Sequence, residues 1–142
     1  MSEANRLFQR QYGTLFANLR FERACLVGCS YGGLPAFTGN ESVLSVTPKA
    51  AEKDDTPILV SFFRDAQNKT HCVFVNLHRT ETRNVKVAFA AGIVPKAKTW
   101  DGWREKRPSA DAGVANAVGE HGTGSGSLWL HLAAGHMEVI KL

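Results

Sequence analysis

The chain has 142 residues, 44% hydrophobic and 21% charged, which suits one domain burying about two-thirds of its unfolded surface and argues against intrinsic disorder. No apolar run reaches the roughly 18 residues a transmembrane helix needs, and the first ten residues hold no apolar core followed by a small-residue cleavage site, so neither a membrane partner nor a signal peptide is expected. Lys and Arg outnumber Asp and Glu by 17 to 13, but the excess is scattered. Arg6, Arg10, Arg20 and Arg23 are spread along one segment, and Arg104, Lys106 and Arg107 are interrupted by Glu105. A nucleic-acid partner would need a denser stripe, and none is expected.

The first twenty residues read as a helix. Phe8, Tyr12, Leu15, Phe16 and Leu19 form a stripe at helical spacing, with Ser2 placed to cap it and Arg20 and Arg23 suited to its C-terminal end. Gly13 inside costs up to about 1 kcal/mol relative to Ala, so the helix needs tertiary support. The plain expectation is that the stripe packs on its own domain. A sharper one is that it serves a neighbouring domain, and that a chain opening on such a helix is part of a larger protein. Left uncovered, the stripe would drive self-association.

After the helix the period changes. Ala24 to Cys29 is a short apolar run broken by Ser30-Tyr31-Gly32-Gly33, and Val43 to Val46 alternates as a strand does. Residues 50–57 read as an exposed charged loop. Ile58 to Phe63 and His71 to Leu77 are β-rich runs joined by a polar turn, the signature of a hairpin. On the second run Val73, Val75 and Leu77 share one face, and mid-strand Val75 is expected to be buried. Asn84 to Phe89 alternates with Val85, Val87 and Phe89 inward. Lys96 to Trp100 is a further strand ending at Asp101-Gly102, residues 108–126 a glycine-rich loop, and Leu128 to Leu132 and Met137 to Leu142 the closing strands. The sum is an all-β fold, an antiparallel β-sandwich of seven or eight strands (residues 23–142) preceded by one N-terminal connecting helix (residues 1–22).

Candidate chemistry is sparse. Three cysteines, Cys25, Cys29 and Cys72, without a leader are expected to be reduced thiols acting as small hydrophobes, which favours the cytoplasm. A metal site from Cys25, Cys29 and His71 or Cys72 lacks the tight cysteine pairs of zinc sites, so neither metal nor cofactor is expected. Gly28-Cys29-Ser30-Tyr31-Gly32 matches a nucleophile elbow by letters, but Gly33, Leu34 and Pro35 do not continue the helix that motif requires. A small hydrolase built on Ser30 and His71 is the weakest reading. No two acids are placed by sequence on one strand face, as a glycosidase pair would be, so no catalytic residue is assigned. The tryptophans Trp100, Trp103 and Trp129 are candidate interface or sugar-stacking residues. Trp100 and Trp103 flank the Asp101-Gly102 turn, and with Tyr31 they are the candidate carbohydrate contacts.

From Ile58 onward the chain resembles the C-terminal β-sandwich domain that follows the catalytic barrel of many glycoside hydrolases. Leu59 to Asp65 followed by Cys72-Val73-Phe74-Val75-Asn76-Leu77 looks like its central hairpin, whose second strand often ends in Val-Asn. Thr80 to Val87 looks like the next strand. Lys96 to Trp103 is similar to a strand with an aromatic residue near an acidic or glycine turn, and Leu130 to Leu142 resembles the closing turn and last strand. The resemblance covers about 85 residues and carries no catalytic residue, because in that family the carboxylates lie on the barrel. It implies a non-catalytic accessory domain whose partner is a catalytic barrel, with a carbohydrate-binding module as the alternative.

Overall fold

A computed structural model describes residues 2–28, 33–49, 58–99, 101–106 and 126–142. The charged loop at 50–57 and the glycine-rich loop up to residue 125 lie outside the described residues. The chain opens with α1 (Glu3–Phe8), a π-helical turn (Gln9–Gly13) and α2 (Thr14–Ala17). Ser2 caps α1, its Oγ accepting from Asn5 N–H at 3.3 Å. No helix of the described residues is long and apolar enough to cross a membrane.

Nine strands follow among the described residues: β1 (Arg20–Val27), β2 (Val43–Pro48), β3 (Ile58–Arg64), β4 (Thr70–Asn76), β5 (Arg83–Phe89), β6 (Lys96–Thr99), β7 (Gly102–Glu105), β8 (Gly126–Leu132) and β9 (Met137–Lys141). A six-stranded sheet runs in the order β1-β3-β4-β9-β6-β7 and a three-stranded sheet in the order β2-β5-β8, with every pairing antiparallel. This is the expected antiparallel sandwich. The strand beyond the expected number is β7, which continues from the Asp101-Gly102 turn and pairs Lys98 with Trp103. β1 also begins at Arg20, inside the stretch read as helix, because Arg20 and Phe21 pair with Arg64 and Phe63.

Strand alternation builds the core. Val60, Phe62, Cys72, Phe74 and Ile140 of the larger sheet meet Val85, Val87, Phe89, Leu128 and Leu130 of the smaller one in one buried cluster. Val75 corrects the expectation made for it. It is half-buried on the outer face of the larger sheet, while its neighbour Phe74 is fully buried in the core. The outer face is nonetheless partly covered, since Val73 and Val139 are buried there. α2 reaches it through Phe16, whose ring meets that of Phe63 edge-on at 5.6 Å. β1 is an edge strand, and residues 35–37 shield it by bonding along Leu26 in a parallel bridge.

One end of the sandwich is closed by Asn76. Its side chain is fully buried and its Nδ2 donates to Leu132 O at 2.9 Å and Glu81 O at 2.8 Å. Its Oδ1 accepts from His78 N–H at 2.9 Å. One side chain therefore ties the end of β4 to β8 of the other sheet and to the loop leading into β5.

Candidate functional site

Of the three candidate carbohydrate contacts, Tyr31 and Trp100 lie outside the described residues. Trp103 stands half-buried on the outer face of the larger sheet. The His71 ring meets it edge-on at 5.4 Å, and the ammonium groups of Lys98 and Lys141 each sit 5.7 Å from its ring centre. Lys98 is itself fixed by donating to Thr99 O at 2.8 Å and Gly102 O at 3.3 Å. The ring that was a candidate sugar platform is engaged in cation–π contacts that hold the β6–β7 hairpin onto β9.

His71, buried, shares a hydrogen bond of 2.9 Å between its Nε2 and Asp65 Oδ2. Asp65 also accepts from the N–H groups of Gln67 and Lys69, both at 2.9 Å, so it closes the β3–β4 turn. Burial works against the charged carboxylate, yet the bonds from His71, Lys69 and Gln67 outweigh it and hold Asp65 below its ordinary value. Strand alternation separates the residues once grouped as metal ligands: His71 faces outward and Cys72 faces the core. Burial pushes the Cys72 thiol up, which suits a packed hydrophobe and not a metal-binding thiolate. Cys25 is likewise buried, and Cys29 and Ser30 lie outside the described residues.

One site escaped the sequence, and one of the candidate tryptophans stands apart from the others. The site that escaped is a cleft of about 300 Å³ at the end of the sandwich opposite Asn76, lined by Glu22, Arg23, Asn40, Glu41, Ser42, Phe62, Arg64 and Thr70. A β-bulge between Phe21 and Arg23 inserts Glu22 as an extra residue, a device that re-aims side chains at sheet edges. Glu22 Oε1 then accepts from Arg64 Nε at 2.7 Å, and Arg64 also donates to Asn68 O at 3.1 Å. The Arg23 guanidinium lies 5.1 Å from the Phe62 ring centre. The facing wall is the turn into β2, where Asn40 Oδ1 accepts from Ser42 N–H at 2.9 Å and Val43 N–H at 2.7 Å. Gly39 makes that turn possible, at φ +95° and with room for no Cβ, which would sit 2.5 Å from Leu44 O.

Trp129, named with the other tryptophans as an interface or sugar-stacking candidate, is 36% exposed on the outer face of the smaller sheet. It stands across from Lys86, which in turn pairs with Thr47, and the next rung pairs Asn84 with His131. A separate apolar surface runs along the N-terminal segment. Phe8 stacks on Phe16 at 6.2 Å, Phe16 meets Phe63, and Phe63 meets Phe21 at 5.6 Å. The two ends of that chain of rings are open, Phe8 at 42% and Phe21 at 58% exposed. Comparisons with protein families, curated proteins and solved structures find no match to this chain.

Proposed function

We propose that the chain is a non-catalytic accessory β-sandwich of a glycoside hydrolase, packing on a catalytic barrel and stabilising it. The observation that carries this reading is the row of rings Phe8, Phe16, Phe63 and Phe21, which begins on the helix, runs over β3 to the edge strand β1 and is exposed at both ends. A continuous apolar strip of this kind marks an association surface. Phe8, Phe16 and Phe21 lie on the segment that, in the resemblance, joins barrel to sandwich. The carboxylates of Glu22, Asp65, Glu81 and Glu138 are each engaged by a basic side chain, an arrangement for holding structure and not for paired acid–base work.

The test mixes the purified chain with a glycoside hydrolase barrel encoded in the same genome. The expected result is a rise of several degrees in the barrel's melting temperature, lost in the Phe8→Glu, Phe21→Glu double variant. No shift, or hydrolysis of glycosides by the chain itself, would overturn the reading. A second reading, a carbohydrate-binding module, is favoured by Trp129, an exposed ring set among polar neighbours on an open sheet face. Retarded migration in polysaccharide gels, abolished by Trp129→Ala, would establish it.

A further inference from the structure

The cleft at the Arg64 end has chemistry that neither barrel docking nor the Trp129 face uses. Its charged walls balance, with Arg23 and Arg64 set against Glu22 and Glu41, so neither an anion nor a metal cation gains net Coulomb attraction on entering. Glu22 and Arg64 are already paired. Arg23 is not: its guanidinium rests by the Phe62 ring, and among the described residues neither it nor Glu41 has an ion-pair partner. The cleft therefore offers a fork of N–H donors from Arg23 and a carboxylate acceptor from Glu41, with Ser42 and Thr70 also among its lining residues.

Such a set matches groups that donate and accept at once, as the clustered hydroxyls of a sugar do. The Phe62 ring is almost wholly covered, 1% exposed, so the cleft recognises a ligand through its polar rim more than by stacking. Its volume of about 300 Å³ lies at the lower end of the roughly 300–1,000 Å³ typical of small-molecule pockets. The walls are set before any ligand arrives, one by the bulge at Glu22 and the other by the Gly39-Asn40 turn. We infer that the cleft between Arg23 and Glu41 binds a single neutral sugar unit, such as the exposed end of a glycan chain.

Saturation-transfer NMR on the intact chain tests this, with methyl glucoside, methyl galactoside and methyl mannoside as neutral probes and glucuronate and inorganic phosphate as charged ones. At least one neutral glycoside should receive magnetisation from the protein. Arg23→Ala and Glu41→Gln should each weaken its binding about tenfold, the scale of one charge-assisted hydrogen bond. Both residues are exposed, so the variants should fold, and Trp129→Ala and Phe8→Glu should leave this binding unchanged. Those two controls separate failure here from failure of the docking or sheet-face readings. No transfer to any neutral probe, equal binding by both cleft variants, or binding confined to the charged probes would overturn the inference.

Discussion

The two ends of the sandwich treat polar groups in opposite ways. At one end Asn76 is fully buried and its amide makes three hydrogen bonds that join β4, β8 and the loop before β5. At the other, Arg23 and Glu41 face a cleft with no ion-pair partner among the described residues. A dry, satisfied amide fixes the relation of the two sheets, because every alternative arrangement leaves buried groups unbonded. Open, unmatched charges contribute little to folding and stay free to meet a ligand. The contrast makes stability and binding separable by position.

The largest effect should come from the closed end. Asn76→Leu keeps the volume but strands Leu132 O, Glu81 O and His78 N–H, and should cost about 3 kcal/mol of unfolding free energy in urea titration. A loss below about 1 kcal/mol would show that water replaces the amide and that the corner is not dry. At the open end, Gly39→Ala forces a Cβ against Leu44 O at positive φ and should cost about 2 kcal/mol. Cleft binding should fall with it, since the Asn40 turn forms one wall.

Smaller and pH-dependent is the effect of Asp65. Its carboxyl is held below the ordinary 3.8, so the stability it adds is fully present above that value and is lost as pH falls through the depressed folded value. Acid unfolding curves should therefore steepen below about pH 4, and Asp65→Asn should flatten that limb. Smallest of all, Arg23→Ala should change stability by less than about 0.5 kcal/mol while weakening cleft binding about tenfold. A large destabilisation there would erase the contrast between the two ends.

Much of the sandwich was legible in the residues, because strand alternation is local. Val85, Val87 and Phe89 point inward on the pattern that their spacing predicts, and so do Leu128, Leu130 and Leu132. The face of β4 was misjudged at Val75 since both of its faces are apolar and nothing local says which one meets the smaller sheet. β7 hid because Gly102–Glu105 is short and mostly polar. Asn76 was visible only as the end of a resembling strand; its role depends on Leu132, 56 positions away. The cleft was out of reach for the same reason, assembled from four stretches of chain whose charged residues read singly as solvated surface. Trp103 looked available beside its turn, and only the tertiary arrangement brings Lys141 and His71 against it.

The accessory-domain reading meets its most direct test in chemical-shift mapping of the isotope-labelled chain titrated with a glycoside hydrolase barrel from the same genome. Perturbations are expected to cluster on Phe8, Phe16, Phe21 and Phe63 and to leave Asn76 and its partners unmoved. A barrel that perturbs none of those rings, or that shifts only residues of the smaller sheet, would contradict the account.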